Sequence, residues 1–143
     1  MKYLQVDSEG NIESYSEVVE GFSLQVPEGS ISVESNTTVN LETMYWDLNT
    51  STLTLRPAKP SPFYRWENKQ WTLDSVYLIS EIRTKRSNLL KQSDWTQIPD
   101  SPLTTEQQAA WATYRQELRN ITENLTGAEE TMEDAPWPTQ PTI

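Results

Sequence analysis

The chain has 143 residues with six Trp, six Tyr and two Phe but only 35% hydrophobic residues, which suits one ordinary domain or two small ones around a small aromatic core. A formal net charge of −10 leaves no basic face to neutralise phosphates, which argues against nucleic acid, and an anionic membrane surface would repel the chain. The absence of Cys and His excludes disulfides, thiolate or histidine metal sites and histidine proton transfer.

The first third reads as short strands broken by turns. Lys2 to Val6 alternates, and Asp7-Ser8-Glu9-Gly10-Asn11 supplies turn chemistry. Phe22-Ser23-Leu24-Gln25-Val26 alternates again until Pro27-Glu28-Gly29, and Ile31-Ser32-Val33 repeats the pattern weakly. Met44-Tyr45-Trp46-Asp47 and Leu53-Thr54-Leu55-Arg56 flank the loop from Leu48 to Thr52, which predicts a hairpin. Pro57, Pro60 and Pro62 then impose an extended stretch that cannot join a central strand. A second hairpin follows, with Phe63-Tyr64-Arg65-Trp66, the turn Glu67-Asn68-Lys69-Gln70, and Trp71-Thr72-Leu73.

Asp74 or Ser75 can cap a helix running to about Gln92. At helical spacing Val76, Ile79, Ile82, Leu89 and Leu90 fall within roughly 140° of arc, and Arg83 and Arg86 fall inside the same arc. Ser93-Asp94-Trp95 ends this helix, and a proline loop leads to a second one that Thr104 and Gln107 open as a capping box. Trp111, Tyr114, Leu118, Ile121 and Leu125 form a narrow stripe of about 80°, and Gly127 supplies the stop. Two such helices form an antiparallel hairpin with Trp95 and Trp111 filling the gap between them, and they cannot bury much alone. A third layer must come from the N-terminal strands, another copy or a partner. The tail beyond Gly127 is acidic, then proline-rich around Trp137, and by composition is disordered alone.

These elements predict an α+β chain: a small antiparallel β module, an antiparallel two-helix hairpin and an extended Pro-rich tail. The expected boundaries are 1–74, 75–126 and 127–143, and the charge distribution supports the division near residue 74. Residues 1–74 carry 5 basic and 11 acidic side chains, residues 75–125 carry 6 of each, and residues 126–143 carry four acids alone. The N-terminus lacks the apolar run of a signal peptide, and no segment is long and apolar enough to span a membrane. The expected setting is the cytoplasm of synthesis, or a particle assembled there.

For chemistry, only carboxylate pairs remain, such as Asp47 with Glu67 or Asp94 with Asp100, and among 21 acids some pairs look suggestive by chance. No EF-hand spacing or glycine-rich phosphate loop is present, so no metal, cofactor or catalytic residue is expected. Three features stand out as binding candidates. Tyr45, Trp46, Phe63, Tyr64, Trp66 and Trp71 across the hairpins are either the core of a small sheet, a protein interface or a sugar-stacking surface. Arg83 and Arg86 either lay their stems along the apolar face and stack on Trp95 or Trp111, or pair with a partner's carboxylates with help from Lys85 and Lys91. Trp137 between two prolines either sits in a solvated tail or docks on a partner or neighbouring subunit.

The run from Ile82 through Arg83-Thr84-Lys85-Arg86-Ser87-Asn88-Leu89-Leu90 leads to Ser93-Asp94-Trp95-Thr96-Gln97-Ile98-Pro99-Asp100. Leu103, Glu106-Gln107 and Ala109-Ala110-Trp111-Ala112-Thr113-Tyr114-Arg115-Gln116-Glu117-Leu118-Arg119 follow, with Trp137-Pro138 at the close. Over about residues 79–138 this order resembles the C-terminal module of phage tail-fibre assembly chaperones. Tyr45-Trp46-Asp47, Arg56-Pro57, Phe63-Tyr64-Arg65-Trp66 and Trp71 resemble the more variable segment that often precedes it. The acidic insert from Gly127 to Asp134 departs from the usual pattern.

The resemblance implies a non-enzymatic protein of the host cytoplasm that binds the C-terminal end of a trimeric tail fibre and in some cases remains at the virion tip. Trp95, Trp111, Tyr114 and Trp137 join the hairpin aromatics and the two arginines as its expected partner-binding residues, and self-association is a further expectation. The alternative is an adhesin subunit that contacts host glycans through exposed aromatics.

Overall fold

The computed structural model describes residues 1–18 and 25–143. It is an α+β chain in which antiparallel strands precede two helices. Strand β1 (Lys2–Val6) is the middle of a three-stranded antiparallel sheet, between β2 (Ile12–Glu17) and β3 (Ile31–Val33). Leu4 lies opposite both Tyr15 and Ile31, and it is buried together with Ile12. The Asp7 carboxylate closes the β1–β2 turn by accepting from the Glu9 and Asn11 amides and from Asn11 Nδ2. The expected strand from Phe22 to Val26 has its first three residues outside the described range, and Gln25 and Val26 are irregular.

Both expected hairpins form. Strands β4 (Met44–Asp47) and β5 (Thr52–Leu55) pair with Met44 opposite Leu55 and Trp46 opposite Leu53. Strands β6 (Tyr64–Glu67) and β7 (Gln70–Leu73) are joined by Asn68 and Lys69, both at positive φ, the tight geometry that matches strand twist. The chain divides into two compact units, Met1–Pro60 with Trp66–Trp71 and Ser61–Arg65 with Thr72–Ile143. The tip of the β6–β7 hairpin therefore belongs to the first unit and its base to the second.

In the second unit, helix α1 (Ser75–Gln92) starts where the Asp74 side chain accepts from the Tyr77 amide. A 3-10 turn over Asp94–Gln97 follows, then helix α2 (Thr105–Asn120) with the expected Thr104–Gln107 capping box. Two features differ from expectation, the buried row of α1 and the end of α2. Helix α1 buries Leu78 and Ile82, whereas Val76 is 79% exposed, so the buried row is rotated from the arc that the sequence suggested. Helix α2 stops at Asn120 and does not continue to Gly127: the Ile121 amide bonds back three residues to Leu118, and the Asn120 carbonyl accepts from Glu123 and Asn124. Asn120, Ile121 and Thr122 are also poor helix formers in succession.

The third layer comes from this same unit. Phe63, Leu78, Ile82, Ile121 and Ala135 form one buried cluster, and Trp111, Tyr114 and Leu118 form a second. Trp137 packs against both. Residues 121–143 hold no helix or strand, yet they supply Ile121, Ala135 and Trp137 to the core.

Candidate partner-binding surfaces

The first unit gathers part of the hairpin aromatic set. Alternation along β4, β6 and β7 brings Tyr45 to 5.4 Å from Trp66, and Trp66 meets Trp71 edge-on at 5.1 Å between ring centroids. The proline stretch folds over this cluster. Trp71 Nε1 donates to the Pro57 carbonyl at 2.8 Å, the Arg56 guanidinium lies 5.2 Å over Trp66, and the Lys59 ammonium lies 5.8 Å over Trp71. Arg56 also donates to Glu42 O and Asn11 Oδ1, and burial holds its pKa below the ordinary guanidinium value. Asp47 accepts from the Asn49 amide and from Lys69, and these bonds keep its carboxyl below the usual range.

The six hairpin aromatics do not make one surface. Trp46 is half-buried on β4. Phe63 is buried in the second unit beside Tyr77, at 5.4 Å. Tyr64 is half-buried in the second unit too, and burial, then its contact with Glu130, raises its phenol above the ordinary value.

In the second unit the aromatic stripe of α2 sets the centre. Trp111 is 3% exposed and meets Tyr114 edge-on at 5.5 Å, while Trp95, at 38% exposure, leans on Trp111 at 6.2 Å. Burial raises the Tyr114 phenol above its ordinary value. A notch of about 240 Å³ opens beside these rings, between Leu89, Ser93, Trp95, Trp111 and Tyr114, with Gln140 and Ile143 at its rim. The Trp111 Nε1–H is buried and has no acceptor among the described residues.

The buried arginine is one that sequence reading passed over. Arg115, 8% exposed, donates to Leu90 O at 2.6 Å, Ser93 Oγ at 2.7 Å and Asp94 Oδ1 at 2.7 Å. It ties α2 to the end of α1, as an inward guanidinium with three acceptors can. Its signal was its place in the stripe, four residues after Trp111 and three before Leu118. Arg83 is exposed, and Arg86 is half-buried with an Nε that has no acceptor among the described residues.

Trp137 sits on its own chain. Its Nε1 donates to Met132 O at 2.6 Å, and Lys85 Nζ lies 4.4 Å over its ring. Carboxylates shape the loop before it. Glu129 accepts from the amides of Thr126 and Gly127 and from the Thr126 hydroxyl, and Asp134 accepts from the amides of Glu130 and Thr131 and from the Thr131 hydroxyl. Both acids are held below their ordinary values, chiefly by the backbone amides.

Of the carboxylates that could have formed acid–base pairs, Asp47 is bridged to Lys69 and Asp94 to Arg115. Among the described residues no group of three or more acids could hold a metal ion, and no helix is long and apolar enough to cross a membrane. Residues 79–142 match a family model described as phage tail assembly chaperone protein. That segment begins inside α1 and takes in α2, the acidic loop and Trp137. No curated protein and no solved structure matches the chain.

Proposed function

We propose, from the premise that residues 79–142 are a phage tail assembly chaperone module, that the chain binds the C-terminal tip of a trimeric tail fibre and helps it fold. On this reading it acts in the host cytoplasm during assembly and either leaves or stays as a tip component. Residues 1–74 select the fibre, and the helical hairpin of residues 75–126 with its tail is the common body. The family match carries the proposal. The half-exposed Trp95 beside an open notch supports it, because a fibre end offers strand edges and apolar side chains to cover. Glycan stacking on the first unit is less well supported. Arg56 and Lys59 already lie over Trp66 and Trp71, so a sugar would have to displace them.

Co-expression with the neighbouring fibre gene, followed by size-exclusion and mass analysis, tests the reading. A co-eluting complex identifies a retained cap. A soluble trimer without this chain bound identifies a released chaperone, provided that omitting the chain spoils the fibre. A fibre that folds and trimerises equally well without the chain ends the proposal.

A further inference from the structure

We propose that the outer edge of α1, made by Val76, Ile79, Arg83 and Arg86, docks a segment of the served tail protein that is apolar at one end and acidic at the other. The inference rests on the assembly-chaperone reading and names the chemistry of the partner. These four residues follow at steps of three, four and three, so they line one edge of the helix over about 15 Å. The helix buries a different row, Leu78 and Ile82. The edge is left outward, with Val76 79% exposed, Ile79 half-buried and Arg83 exposed.

Charge identifies the occupant. In a chain of net charge −10, α1 holds Arg83, Lys85, Arg86 and Lys91 against the single acid Glu81. Lys85 is engaged over Trp137, whereas Arg83, Arg86 and Lys91 make no ion pair among the described residues. A carboxylate on a partner supplies paired acceptors for an exposed guanidinium such as that of Arg83. Apolar side chains would cover Val76 and Ile79, and carboxylates one to two turns further along would meet Arg83 and Arg86. A second copy of the chain fits poorly, because two bodies of charge −10 repel. A basic partner would be drawn to the rest of the surface and repelled from this edge.

The test uses the full chain in two settings. In the co-purified complex with the fibre, hydrogen exchange should slow along residues 76–90, and Arg83→Glu with Arg86→Glu should weaken binding at least about tenfold. Raising salt should weaken the wild-type complex and leave the double variant nearly unaffected. Arg119→Glu, the same change of sign on exposed α2, should matter little, and Val76→Ser should weaken binding without touching a folded contact. A complex that forms but ignores these α1 changes overturns the proposal and leaves the chaperone reading standing. If no fibre binds at all, that reading fails by itself, and an amphipathic Glu/Leu peptide decides for the edge. Slowed exchange along α1 that the Lys/Leu counterpart does not produce supports it, and no slowing overturns it.

Discussion

Gly10 shows how one residue sets a close approach in the first unit. It lies at φ +87°, its carbonyl accepts from the Trp46 amide at 2.8 Å, and a Cβ there would overlap the Trp46 carbonyl oxygen. Gly10→Ala therefore adds a backbone clash to left-handed strain and should cost at least about 2 kcal/mol. Gly29→Ala, at φ +82° with open space around it, should cost only about 1 kcal/mol. Urea unfolding of the two variants checks the contrast, and equal losses would show that the approach of Gly10 to β4 carries no weight. Arg115 poses the same kind of question inside the second unit. Arg115→Ala removes three hydrogen bonds and the packing of a side chain that is 8% exposed, and should cost about 2–4 kcal/mol. Asp94→Ala removes a carboxylate that is 65% exposed, so it should cost about 1 kcal/mol or less. An Asp94 effect as large as the Arg115 effect would mean that the ion pair, and not the bonds to Leu90 and Ser93, makes the tie.

At the scale of elements, the parts legible in the sequence were those whose determinants are local. Asp74, Thr104 and Gln107 cap the helices as their side chains suggest, and the Asn68–Lys69 turn sits between two aromatic strands. Strand β2 was not legible: Ile12 is its only buried residue, and pairing with β1 is what extends it. The segment from Gly127 to Asp134 reads from composition only as an acidic turn in a tail that is disordered alone, because composition does not reveal that its carboxylates face inward onto amides. Those bonds make its stability depend on pH. Glu129 and Asp134 have folded values below their ordinary 4.5 and 3.8, so their contribution is full above those values. It is lost as the pH falls through the lower folded values, since protonation removes an acceptor charge that the native amides favour. Amide-exchange protection at Thr126, Gly127, Glu130 and Thr131 should therefore fall in acid below about pH 4.5. Glu129→Gln should remove that pH dependence at Thr126 and Gly127 while leaving it at Glu130 and Thr131. Protection that stays flat down to pH 3 would rule the carboxylates out as the loop's clasp.

On the scale of the whole second unit, the tail decides whether two helices make a stable body. The helices alone leave Phe63, Leu78 and Ile82 on one side and Trp111, Tyr114 and Leu118 on the other. Trp137 touches both clusters, and Ala135 enters the first. Two further ties fix its approach, Ser61 Oγ to Glu130 O at 3.0 Å across 69 residues and Lys85 over the Trp137 ring. None of this is visible in composition, since acidic and proline-rich residues read as solvated until their partners are placed. The family match supports the same reading, because it runs to residue 142 and ends well beyond the helices. A half-buried Trp at such a junction should be worth about 2–3 kcal/mol, so Trp137→Ala should lower stability by that amount. Lys85→Met keeps the aliphatic stem and removes only the cation, so it should cost about 0.5–1 kcal/mol. If the tail were instead a free ligand for the fibre, Trp137→Ala would leave unfolding unchanged and reduce binding alone. Measuring unfolding of the isolated chain and complex formation for the same variant separates the two roles. Loss of stability with binding weakened only in proportion to the unfolded fraction assigns Trp137 to the body of the second unit and not to a partner-binding role.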